Sequence, residues 1–83
     1  MVGATVAWLM EMLIIEVPGE RAAELAGLAD EMTEDPRCRM VVRGLEPGGA
    51  RAVLVTSWDD EVAPEVATGL TDSGWPVLRF QVA

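Results

Sequence analysis

Cys38 is the sole cysteine in a chain of 83 residues that has no histidine. That removes two of the usual means of holding so small a domain together. A chain of this length buries only about 60% of the surface its unfolded form exposes, so its core is marginal. A single thiol cannot close an intrachain disulfide. Nor can it supply, without histidine, the four Cys or His ligands of a structural zinc site, so no metal centre is expected. A partner subunit remains. The hydrophobic share of 51% is high for a single small domain, and part of that apolar surface is expected to lie in an interface.

The formal charge is −8, all six basic residues are arginine, and lysine and asparagine do not occur. Such a chain repels nucleic-acid phosphates and anionic bilayers, which argues against both as partners. Met1 to Val17 is apolar but has no basic start, and Glu11 and Glu16 interrupt it. It therefore reads neither as a signal peptide nor as the roughly 18 apolar residues of a membrane span. A cytoplasmic location is the expectation that follows.

The periodicities place six elements in one domain over residues 1–83. Thr5 to Val17 reads as a strand, its first half bulged or bent, stopped by Pro18-Gly19. Glu20 to Glu34 repeats apolar residues at helical spacing through Ala22, Leu25, Leu28, Ala29 and Met32, and Asp35-Pro36 ends the helix. Cys38 to Leu45 and Arg51 to Trp58 alternate as strands about a Glu46-Pro47-Gly48-Gly49-Ala50 turn. Asp59-Asp60-Glu61 offers a cap and negative charge to a second helix carrying Val62, Val66 and Leu70, with Pro64 in its first turn and Ser73-Gly74 at its end. Val77 to Val82 is a last strand. The order β-α-β-β-α-β, with right-handed crossovers, predicts an α+β, ferredoxin-like fold: a four-stranded antiparallel sheet with both helices on one face.

Strand parity then sorts the side chains. Assigning the apolar sets Met40 and Val42, Ala52 and Leu54, and Leu78 and Phe80 to the helix-covered face sends Arg39, Arg43, Arg51 and Arg79 to the bare one. Glu11, Leu13 and Ile15 join them there if the first strand has no bulge. Four arginines on one face need anions. A ligand's carboxylate or phosphate would match their forks, and interface or surface ion pairs are the plainer alternative.

Other candidates carry less chemistry. Asp59-Asp60-Glu61 could hold a cation but reads first as a solvated helix start. Cys38 lies between Arg37 and Arg39, which could lower its pKa, yet no histidine can act as its base. Ser57 and Ser73 have no activating partner, and Gly48-Gly49 reads as a turn rather than a phosphate loop. Trp58, at the end of the third strand, is either core or the wall of a pocket for a planar ligand. Trp8 and Trp75 bracket the domain from other elements.

From Val17-Pro18-Gly19 through Arg51-Ala-Val-Leu-Val-Thr-Ser-Trp58-Asp-Asp, the chain resembles the dimeric α+β barrel superfamily. It looks most like the antibiotic biosynthesis monooxygenase group: a first strand ending in Pro-Gly, an amphipathic helix, and a hairpin whose second strand runs from aliphatic residues to Trp and then acidic residues. The resemblance covers about two thirds of the chain. It implies a homodimer formed through bare sheet faces. It also implies a pocket between sheet and helices for an aromatic or polyketide-like molecule, with Trp58 at the family's tryptophan position, and tailoring of an antibiotic-type secondary metabolite. That tailoring is either oxidation with no metal or cofactor, or processing of a peptide antibiotic such as C-terminal amide formation in a thiopeptide. The Tyr, Asn and His common in the family's sites do not occur here, so no catalytic residue is assigned. Glu16-Val17-Pro18-Gly19-Glu20-Arg21 also resembles the strand-turn-helix start of ACT domains, which implies a small-molecule-binding regulatory module with its effector site near Pro18-Gly19. A non-catalytic interaction subunit is the third reading.

Overall fold

The computed structural model describes residues 9–82. The first part of the expected strand, Thr5 to Trp8, lies outside them, so its expected bulge and the place of Trp8 do too. Strand β1 spans Met10–Pro18, and a single 3₁₀ turn over Gly19–Arg21 leads into helix α1, Ala22–Glu34. Strands β2 (Cys38–Leu45) and β3 (Arg51–Asp59) form the hairpin. Helix α2 (Ala63–Asp72) and strand β4 (Leu78–Gln81) complete the β-α-β-β-α-β order. The sheet is antiparallel in the order β2-β3-β1-β4, which is the ferredoxin-like arrangement expected from the sequence.

Local chemistry explains the joints. Glu46 N–H donates to the Arg51 carbonyl at 2.9 Å and Gly49 N–H to Glu46 at 2.7 Å. Gly48 and Gly49 both take positive φ inside that turn, where a side chain would be strained. The end of α2 is closed by Ser73 and Gly74 N–H bonds back to Gly69, Leu70 and Thr71, with Gly74 at φ 91° as a C-terminal glycine should be. The start of α2 departs from expectation. No side chain caps it, and Pro64 stands in its first turn. The aspartates expected as caps are engaged elsewhere, Asp59 with Arg39 at 2.9 Å and Asp60 with the Gln81 amide at 3.1 Å.

The core lies between sheet and helices. Leu13, Ile15 and Val17 of β1 face Thr56, Leu54 and Ala52 of β3 in direct register, and Leu25, Leu28, Val66 and Leu70 of the helices close over them. This overturns the expected facing of three strands. Odd residues of β1, placed in the sequence on the bare face, are core. In β2, Val41 and Arg43 sit opposite Thr56 and Leu54 and so face the helix layer, while Met40 and Val42 sit opposite Ser57 and Val55 on the bare side. In β4, Arg79 pairs with Leu13, while Leu78 and Phe80 pair with Ile14 and Met12. Only β3 faces as expected. The error has a physical cause: sorting by polarity assumed one apolar face, whereas both faces of this sheet are apolar. At the edge strands, beyond the cover of two short helices, Arg43 and Arg79 can face the helix side and still reach water.

Candidate functional site

The helices α1 and α2 run antiparallel over the sheet and leave a cleft of about 510 Å³ between them, floored by Leu28, Val66 and Leu70 above Trp58. Met32 and Trp75 wall it, and Gly27 of α1 and Gly69 of α2 open its sides. Trp75 is carried there by the turn after α2, its N–H bonded to the Leu70 carbonyl at 3.0 Å. The Arg21 guanidinium lies 4.6 Å from its ring centre, a cation–π contact that ties the start of α1 to the end of α2. Trp58 itself is 0% exposed. Its indole Nε1 donates to Thr56 Oγ1 at 2.7 Å, and Thr56 Oγ1 donates to the Leu13 carbonyl at 3.3 Å. The indole is therefore a satisfied core group beneath the cleft. It lines the base of the cleft with no surface open to water.

The rim is acidic. Glu24, Glu31, Asp35 and Glu65 line it with Arg37. Arg37 is bound by Asp35 through its backbone N–H and guanidinium, at 2.9 Å each, and its other nitrogen lies 3.8 Å from Glu65. The Arg37 hydrogen bonds hold the Asp35 carboxyl below its usual range. Glu24 is paired with Arg21 at 3.3 Å. Among the described residues no group of three His, Cys, Asp or Glu side chains converges as a metal site. This disposes of Asp59-Asp60-Glu61 as a ligand cluster.

The expected arginine face is dispersed. Arg39 pairs with Asp59 next to the bulge between Cys38 and Met40. Arg51 pairs with Glu46 at 2.8 Å and Glu16 at 3.4 Å. Arg79 grips Glu11 bidentately at 2.9 and 3.0 Å on the helix-covered side, and that fork holds the Glu11 carboxyl below its usual range against the cost of burial. Arg43 makes no ion pair among the described residues. It borders a separate cavity of about 280 Å³ with Ala22, Leu25, Leu45 and Ala52. Of the six residues singled out in the sequence, Trp58 alone adjoins the main cleft. Cys38 is the incidental thiol the sequence suggested, and its flanking arginines do not lower its pKa. Burial raises its thiol pKa, its Sγ–H donates to the Met40 carbonyl at 3.3 Å, and the neighbouring arginines are spent on aspartates.

The bare sheet face carries Met12, Ile14, Val53 and Val55 along its middle strands, with Met40, Val42, Leu78 and Phe80 along its edges. Met40 is 40% exposed, Val42 50%, Phe80 48% and Leu78 55%. No helix among the described residues is long and apolar enough to cross a membrane.

No protein-family profile matches this sequence, and no curated protein matches it. Two solved structures resemble it. Rv0793 from Mycobacterium tuberculosis superposes with a TM-score of 0.52 over 93% of this chain and 94% of its own, at 16% identity. A monooxygenase from the gene ActVA-Orf6 of Streptomyces coelicolor, in complex with nanaomycin D, gives a TM-score of 0.45 over 92% and 86%, at 14% identity. At such identities the likeness speaks of fold. The chain shares the ferredoxin-like α+β fold with Rv0793, four antiparallel strands with two helices on one face.

Proposed function

Starting from that fold, we propose that this chain is a tailoring enzyme for a small natural product, working as a homodimer with its substrate in the cleft between α1 and α2. One observation carries the reading: the 510 Å³ cleft over Trp58, within the size range of small-molecule sites and walled by the soft side chains Met32 and Trp75. Fold alone assigns no chemistry; the cleft does more, because it limits the means available. It offers carboxylates and no thiol or imidazole. The reaction that fits is oxidation of an electron-rich arene, in which the substrate supplies the electrons. A ring CH₂ loses a proton to a carboxylate, reacts with O₂ and leaves as a carbonyl, with one water released for each O₂ consumed. Glu31 is the proton acceptor at the cleft without an ion-pair partner among the described residues, since Asp35, Glu24 and, at longer range, Glu65 are paired. Processing of a peptide antibiotic, such as C-terminal amide formation in a thiopeptide, is the alternative tailoring reaction on the same scaffold.

The test is oxygen uptake with anthrone-type substrates, with mass analysis of the product. Exchange of two hydrogens for one oxygen, with equimolar O₂ consumed, supports the proposal. Binding in the cleft without oxygen uptake would leave a carrier or interaction subunit instead. The ACT-like alternative needs room for an effector beside Pro18-Gly19. There the Gly49 carbonyl occupies the place where a side chain of residue 19 would start.

A further inference from the structure

Gly27 is the sixth residue of α1 and Gly69 the seventh of α2. Both have helical backbone, and both line the cleft. Glycine inside a helix is unfavourable relative to alanine, and helices usually keep it there because something packs against the bare Cα. Here nothing does: a Cβ built on either residue meets no atom within 4 Å. Neither backbone conformation nor internal packing explains the two glycines. Their effect is to keep open the space between the helices, above Leu28 and Leu70. The charge around that space is one-sided. Four carboxylates line it against one guanidinium, which Asp35 holds, while Glu24 among them is paired with Arg21 over the Trp75 ring. Glu31, near the C-terminal end of α1, has no ion-pair partner among the described residues, and Glu65 across the cleft has only the 3.8 Å contact with Arg37.

We propose that the cleft selects a cationic amphiphile: a small molecule with a flat apolar body and a protonated amine. The body lies in the trough between Gly27 and Gly69, and the ammonium lies between Glu31 and Glu65. This rests on the reading of the cleft as the substrate site and adds the charge class of what enters it. An anionic polyketide of the same shape would meet uncompensated carboxylates at the rim, where like charge costs affinity and opposite charge contributes to it.

A matched pair of probes decides the matter: 1-naphthylmethylammonium and 1-naphthoate, titrated into the full-length protein at low salt while the backbone amide signals of Gly27 and Gly69 are followed by NMR. Shifts at both glycines with the cation, at an affinity about tenfold or more above that for the carboxylate, support the proposal. So does their weakening in 0.5 M salt, which screens exposed charge. Glu31→Gln with Glu65→Gln should remove most of the preference while leaving the fold unchanged. Equal binding of the two probes at these glycines would overturn the charge selectivity and leave the cleft standing as a substrate site. Binding of neither would overturn both. Gly27→Leu with Gly69→Leu, checked for native circular dichroism, should abolish cation binding. Retained binding in that folded variant would place the probe elsewhere and also overturn the proposal.

Discussion

Gly19 and Gly49 meet backbone to backbone where β1 turns into α1: a Cβ on Gly19 would lie 1.7 Å from the Gly49 carbonyl oxygen and 2.9 Å from its carbon. The Gly19 N–H donates at 2.9 Å to Ala50 next door, so the β2–β3 turn is sewn onto the first crossover. The obstacle is backbone inside a tight turn and cannot swing aside. Gly19→Ala is therefore expected to cost about 2–4 kcal/mol, in the range of strong overpacking, read as a lower urea midpoint with an unchanged slope.

Gly27→Ala and Gly69→Ala are expected to do the opposite. Both positions are exposed and helical, with open space for the methyl group. Each should raise stability by about 0.4–1 kcal/mol, through better helix propensity and a less flexible unfolded chain. Thermal melts of the single and double variants would show it. Stabilisation accompanied by loss of cleft binding would mean that the glycines serve the site at the fold's expense.

Trp58 is a core residue whose truncation acts on stability before it acts on any ligand. With no exposed surface and its N–H bonded to Thr56, Trp58→Ala should cost about 3–5 kcal/mol, enough to unfold a domain this small. Trp58→Phe keeps most of the volume and leaves Thr56 its bond to Leu13. It should fold, with a loss of about 1–2 kcal/mol in chemical denaturation. A Trp58→Ala protein that folds normally yet fails to bind substrate would restore the indole to the pocket wall.

Element order and most boundaries were legible because each element has a local cause: Pro18-Gly19 and Asp35-Pro36 stop what precedes them, and the Glu46 to Ala50 turn fixes a hairpin. The facing of the edge strands was not legible. Val41 and Val42 are alike, as are Val77 and Leu78, so polarity could not choose the face. Register with β3 and β1 chose it, and register is a long-range property. The cleft was half legible. Trp58 marked its floor, but its sides are set by residues that look unremarkable in sequence. The signals that could have found them were two glycines inside helical repeats and a tryptophan just after the Gly74 stop.

Acid should loosen the β1–β4 edge. Glu11 is 8% exposed, and its carboxyl is held below the ordinary glutamate value of 4.5, chiefly by the hydrogen bonds from Arg79. A carboxyl whose folded pKa is depressed contributes stability that is fully present above the unfolded pKa and is lost as pH falls through the folded one. Melting temperature should therefore hold from neutrality down to the ordinary carboxylate range and drop below it. Part of that drop should disappear in Glu11→Gln, whose melting temperature at neutral pH should be lower than that of the native protein. Asp35, Glu46 and Asp59, each held low by an arginine, add to the same limb, so the variant should flatten it without abolishing it. An acid limb identical in native protein and variant would show that the Arg79 fork contributes nothing.

The bare sheet face is the place to test assembly. Val42 on β2 and Phe80 on β4 mark its two edges, each about half exposed at 50% and 48%, with Ile14, Val53 and Val55 between them. A face this apolar on a small domain calls for a cover, and a second copy brings the same face, which is the self-complementary geometry of a two-fold dimer. Fully burying one such side chain is worth about 1.5–3 kcal/mol, so placing a charge at either edge should be felt strongly. Val42→Glu and Phe80→Glu are each expected to convert a dimer into a monomer in light scattering at micromolar concentration. Leu45→Glu makes a fair control: Leu45 is 60% exposed but pairs with Ala52 on the helix side, so its variant should keep the dimer mass. If the native protein is a monomer at every concentration, or if Leu45→Glu dissociates it while the two sheet-face variants do not, the dimer does not form through this face.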